Sequence, residues 1–141
     1  MGDCYKKNLD DVILEFCING RSSKDNDWVD VDIKIESPVI TYNLKDWERD
    51  GELFLREDLR DVTRVMNKWL RNELESDVEY ESVEPDLLLK LYVEERKIDF
   101  CICLQTKDLS FSENYIILPL VDQDAEEFAE YWVKADKRVN G

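Results

Sequence analysis

A chain of 141 residues, 43% hydrophobic and with four Trp and five Phe, has the length and apolar content of a single domain, residues 1–141, that buries roughly two thirds of its unfolded surface. Nineteen basic against 34 acidic residues, with no histidine, give a net charge of −15 at pH 7. That balance excludes nucleic acid and anionic membrane as natural partners, since both are held by neutralising phosphates, and it favours either a basic protein partner or plain solubility.

Cys4, Cys17, Cys101 and Cys103 contain no C-x-x-C pair, and no histidine is available for a mixed zinc site. Cys101 and Cys103 stand two apart in an expected strand, share a face and do not bridge each other. All four read as reduced cytosolic thiols. The opening MGDCYKKNLDD has no apolar leader core, and no run approaches the roughly 20 apolar residues of a membrane span. Lys6 occupies the position where a myristoylation signal has Ser or Thr. A cytoplasmic protein is expected.

Residues 9–18 alternate with the period of a strand, and Asn19-Gly20 marks its end before the polar loop RSSKDND. Trp28 to Glu36 alternates without error, with Val29, Val31, Ile33 and Ile35 on one face. After Pro38 comes a short third strand, 39–44, and the charged connection KDWERDG. Residues 52–76 then form the longest helical stripe, with Leu55, Leu59, Val62, Met66 and Trp69 spaced by fours and threes. An acidic stretch, 73–86, contains a strand around Val78, Tyr80 and Ser82. Strands 87–94 and 98–104 flank the turn Glu95-Arg96-Lys97, and a last strand at 115–118 ends at Pro119. Asp122 and Asp124 open a second helix, with Asp124 and Glu127 spaced as a capping box and Phe128, Tyr131 or Trp132, Ala135 and Val139 at helical intervals. The order βββ-α-ββββ-α predicts an α+β fold, an antiparallel sheet of about six to seven strands with both helices on one face.

The chemistry is sparse. Without histidine the usual nucleophile and base constellations are missing, and no glycine-rich phosphate cradle occurs, so no catalysis and no cofactor are expected. Asp25, Asp27, Asp30 and Asp32 cluster in sequence, but an EF-hand loop needs glycine where Asp30 stands and a helix where a strand follows, so no metal site is expected. Alternation places Trp28, Asp30, Asp32, Ile13, Cys17, Leu88, Tyr92 and Cys101 on the sheet face away from the helices. Acidic groups around apolar ones suit a protein-binding surface, and equally a face covered by loops or by a homodimer.

The segments ILEFCING, WVDVDIKIE, LREDLRDVTRVMNKWL, SVEPDLLLKLYV and DAEEFAEYW resemble, in order and hydrophobic spacing, bacterial immunity proteins of the wall-associated-protein (WapI-like) type. The resemblance covers most of the chain and includes the step Glu84-Pro85-Asp86. It implies a protein that occludes a cognate, contact-delivered toxin domain, often a nuclease with a basic groove, and performs no chemistry itself. Combined with the charge, it nominates as the partner-binding surface Asp25, Asp27, Trp28, Asp30 and Asp32, then Trp47, Glu48 and Asp50, then Glu73, Glu75, Asp77, Glu79 and Glu81, with Trp28 or Trp47 as an apolar anchor. The alternative is an acidic adaptor or homodimeric regulatory protein with no toxin partner.

Overall fold

A computed structural model describes residues 4–47, 51–84, 87–105 and 111–141. The chain runs β1 (Cys4–Leu9), β2 (Val12–Arg21), β3 (Trp28–Glu36), β4 (Thr41–Asn43), a 3-10 turn (Leu44–Trp47), β5 (Glu52–Leu55), α1 (Arg56–Leu70), β6 (Val78–Glu81), β7 (Leu87–Leu91), β8 (Lys97–Gln105), β9 (Phe111–Val121) and α2 (Gln123–Asn140). The α+β class, the antiparallel pairing and the two helices stand as expected. The strands, however, divide into two sheets, one of five strands built around β3 and one of four with the order β6-β7-β8-β9.

Strand β3 is the hub of the first sheet because it is the one whose alternation leaves a complete apolar face. It pairs with β2 along one edge, while β4 and β5 share the other, at Lys34–Glu36 and at Trp28 and Asp30 respectively. The turn into β5 requires Gly51, whose φ is 82° and whose absent Cβ would lie 2.6 Å from the Val31 carbonyl oxygen. Strand β1 was not anticipated, because CYKKNL contributes only Tyr5 to the buried core and so shows no apolar alternation. It pairs with β2 through a two-residue turn in which Asp10 takes φ 55°, a conformation Asp tolerates.

This hairpin corrects the reading of the cysteines as four reduced thiols. Its register sets Cys4 opposite Cys17, and the two form a disulfide, with Cα atoms 4.3 Å apart, while Cys101 and Cys103 are buried thiols. Strand β2 also runs past Asn19-Gly20, through a bulge, to Arg21. Near that irregularity the Ile18 N–H donates to Tyr131 Oη at 2.8 Å, and its carbonyl accepts from Arg138. Side chains of α2 thus satisfy backbone groups that the ladder leaves open.

The expected helix 52–76 is shorter at both ends. Leu53 and Phe54 are both fully buried, which suits a short strand covered on both faces better than a helical stripe. The chain passes from β5 into α1 with no loop, and the Asp58 carboxylate accepts from the Leu55 N–H. In α2 the anticipated box between Asp124 and Glu127 does not form. Asp122, at φ 51°, is the N-cap residue and makes no side-chain cap, while Asp124 and Glu127 both turn to Lys7 on β1.

The two sheets meet at an aromatic seam. Phe16 of β2 lies 5.5 Å from Phe100 of β8 and stacks at 6.0 Å on Trp132 of α2, which in turn packs against Phe54 of β5. The helices are antiparallel: Arg56 at the start of α1 bonds Asn140 at the end of α2, and the end of α1 joins Glu126 at the start of α2 through Arg96. The Trp132 indole N–H donates to the Leu59 carbonyl, 3.1 Å, which ties the middle of α2 to the first turn of α1.

Arg96 comes from the turn between β7 and β8. Its guanidinium stacks 4.0 Å from the Trp69 ring, donates to the carbonyls of Trp69 and Leu70 at 2.7 and 2.8 Å, and pairs with Glu126 at 2.9 Å. It therefore caps α1 with a positive charge at the negative end of the helix dipole. Arg96→Ala is expected to lower the unfolding free energy by about 2–3 kcal/mol, since several charge-assisted bonds are lost together. Arg96→Lys should recover less than half of this, because a point charge cannot replace the planar fork. Urea denaturation followed by tryptophan fluorescence checks both.

Candidate interaction surface

The nominated residues do not form one surface; they lie on different sheets and differ in how far their charge is already answered. On the outer face of the first sheet, register places Lys6, Glu15, Lys34 and Asn43 in one row and Cys4, Cys17 and Asp32 in the next. Asp30 and Asp32 share Lys45, 3.5 and 3.6 Å away, and Asn19 donates to Asp30 at 3.1 Å. These carboxylates fasten the 3-10 turn to β3. Trp28 is half-buried beside Leu55, its register partner.

The loop before β3 is likewise built by its own acids. Asp25 accepts from the Asp27 N–H at 3.0 Å, and the Asp27 carbonyl accepts from the first N–H of α1, on Arg56, at 2.8 Å. Asp27 then borders a groove with Arg56, Glu57 and Arg60, so its surroundings are of mixed charge. Trp47 closes the 3-10 turn with its backbone; its side chain, with Glu48 and Asp50, lies outside the described residues.

The second sheet carries the remaining candidates. Glu73 is paired with Arg71 at 2.5 Å, and Glu79 sits 3.8 Å from Lys90. The Asp77 carboxylate accepts the Val93 N–H at 2.8 Å and pins the approach to β6 against the end of β7. Glu75 and Asp77 line a groove with Tyr92, Val93, Glu94 and Glu95. The last two are acids in the β7–β8 turn, which begins earlier than expected: β7 ends at Leu91, so Glu94 lies beyond the strand it was assigned to. Glu81 is exposed on β6, opposite Leu88.

The outer face of this sheet passes from acidic at the β6 edge to apolar at β9. One row reads Glu81, Leu88, Cys101 and Ile117, and the next Glu79, Lys90, Asp99 and Pro119. Tyr115, Ile117 and Val121 of β9 are 49%, 57% and 50% exposed, a stripe of large apolar groups on an edge strand. No single cue marks it: YIILPLV reads as a core strand until the register shows which alternate residues face outward.

Between the acidic and apolar ends lies Tyr92, with Lys90 and Lys97 Nζ 4.9 and 4.7 Å from its ring centroid. Its hydroxyl donates to Asp99 at 2.6 Å, and this carboxylate partner pushes the phenol up to about 12. Burial, reinforced by Asp99 and Glu79, pushes the Cys101 thiol up to about 11. Cys101 is therefore a thiol, not a thiolate, near neutrality and a poor nucleophile.

Both shifts favour the neutral form in the folded protein. Their stabilisation is complete below the ordinary values, 9.0 for Cys101 and 10.0 for Tyr92, and is lost as pH rises through about 11 and about 12. Denaturation midpoints are expected to fall between pH 9 and 12, and Tyr92→Phe should flatten the upper part of that fall. A pH series of urea titrations on the two proteins measures it.

No family model, no curated protein and no solved structure matches the chain.

Proposed function

We propose that the protein is a cytoplasmic immunity protein that binds and occludes a basic toxin domain of the nuclease type, without catalysis, through the outer face of the second sheet. The observation that carries the reading is that one sheet carries an acidic rim at its β6 edge and the adjoining turn, Glu75, Asp77, Glu79, Glu81, Glu94 and Glu95, and an exposed apolar stripe, Tyr115 and Ile117, on the opposite edge strand β9. Acidic rims steer a basic partner and set its orientation, while apolar groups at the centre of contact slow its escape. The net charge of −15 and the resemblance of the segment order to WapI-like immunity proteins support the same reading. Asp30 and Asp32 take no direct part in it, because they lie on the first sheet, where Lys45 holds them to the 3-10 turn.

A second reading, a homodimeric acidic adaptor, draws on the position of β9 at the sheet edge with its apolar groups outward. Light scattering separates the two: a monomer at micromolar concentration disfavours the adaptor.

The immunity reading is tested by capture with the toxin domain encoded next to the gene, used as bait at low salt. A complex that weakens as salt rises is expected; no complex at low salt overturns the reading. Within the complex, Glu75→Lys with Glu79→Lys is expected to weaken binding about tenfold or more, chiefly through slower association, and Ile117→Ala to speed dissociation. Asp30→Asn with Asp32→Asn should leave affinity within about twofold while lowering stability. Surface plasmon resonance at two salt concentrations checks all three.

A further inference from the structure

The strand register that sets Cys4 opposite Cys17 also places Glu15 two residues before Cys17 on the same outward face. The two sulfurs and a Glu15 carboxylate oxygen all lie within 4.8 Å of one another, and Cys17 Sγ is 3.7 Å from Glu15 Oε1. Tetrahedral zinc, with Zn–S of about 2.3 Å and Zn–O of about 2.1 Å, sets neighbouring donors about 3.5–3.8 Å apart. Once the sulfur–sulfur bond opens, small rotations of the cysteine side chains are enough to reach that spacing. The donors come from two paired strands, so the backbone already holds them together, and Cys4 and Glu15 have solvent access for an entering ion.

We propose that the hairpin β1–β2 is a redox-gated site for a thiophilic divalent cation, with Zn²⁺ the natural occupant. The oxidised chain holds the disulfide and binds no metal there. The reduced chain offers Cys4 and Cys17 thiolates and the Glu15 carboxylate as three ligands, leaving a fourth position to water or to a group of a partner. A cellular dithiol supplies the two electrons: it breaks the Cys4–Cys17 bond by exchange, leaves as its own disulfide, and its two protons pass to the Cys4 and Cys17 sulfurs. The cation then displaces those two protons to solvent as the thiolates bind it. The charges sum to −1 for Zn²⁺ with three anionic ligands. Lys6, opposite Glu15 on β1, and Lys34, opposite it on β3, offset this from the same face.

This assignment is independent of the toxin-binding reading, since it lies on the other sheet. The test uses the full chain with Co²⁺ as a spectroscopic probe, after reduction by a phosphine that does not itself offer thiols. One equivalent of Co²⁺ is expected to give the ultraviolet thiolate-to-cobalt charge-transfer band in the reduced protein, to be displaced by Zn²⁺, and to give no band in the oxidised protein. Cys4→Ser should abolish the band, and Glu15→Gln should weaken Co²⁺ binding about tenfold or more while both thiols remain. Cys101 and Cys103 are present in every variant, so a band that persists in Cys4→Ser with Cys17→Ser belongs to them and overturns the site. No band in the reduced wild type overturns it as well, and unchanged affinity in Glu15→Gln overturns the three-ligand assignment. Circular dichroism of each variant, matched to the wild type, shows that the comparison is between folded proteins.

Discussion

The contact on which the rest of the structure depends is the stack of Trp132 on Phe16, with Phe100 and Phe54 closing around it. No strand of one sheet pairs with a strand of the other among the described residues, so apart from the Glu84 N–H donating to the Leu53 carbonyl the sheets are joined by side-chain packing and by the helix layer they share. Rings of this size bury large areas in defined geometries, which is what a junction without a hydrogen-bond ladder needs. A helix that met only one sheet would leave the other's inner face open. Helix α2 meets both, and its fully buried Phe128 and Trp132 are the largest groups it brings to that junction.

Polar contacts then decide how the layers are aligned. Ile18 presents its N–H and carbonyl to Tyr131 and Arg138, Tyr5 donates to the Asp124 carbonyl, and Lys7 meets Asp124 and Glu127. Each bond joins α2 to the first hairpin. Arg96 and Glu126 join the same helix to the second sheet and to the end of α1. A chain so acidic places several of its cations at these junctions, where one guanidinium or ammonium answers two elements at once. Four further acids, Glu75, Asp77, Glu94 and Glu95, meet around one groove beside the β7–β8 turn.

Strand β3 was legible to its terminal residues, because four aliphatic side chains alternate with polar ones from Val29 to Ile35. Helix α2 was legible from its spacing. Strand β1 was not, since Tyr5 alone of its residues is fully buried, and with β1 unseen the pairing of Cys4 with Cys17 was hidden too. Leu53, Phe54 and Leu55 merged with the helical stripe because Leu55 and Leu59 are four apart; burial of adjacent residues on both faces separates strand from helix only in three dimensions. Pro119 seemed to end a strand, yet β9 continues to Val121 because an edge tolerates a residue without an N–H. Among the candidate site residues, Asp30 and Asp32 looked available, and only folding brings Lys45 to them. Glu94 read as the end of a strand and Glu95 as a turn residue, and only folding sets them beside Glu75 and Asp77.

Helix α1 takes most of its support from residues that come after it. Its last carbonyls are received by Arg96, the Leu59 carbonyl by Trp132, and Arg56 by Asn140, while earlier in the chain Asp27 receives only its first N–H. During synthesis the segment Arg56–Leu70 therefore emerges before the groups that close it, and at 15 residues it is too short to persist alone in water. Its charged outer face keeps it soluble in that interval. The native helix pair is complete only when Asn140, in the final turn of α2, reaches Arg56.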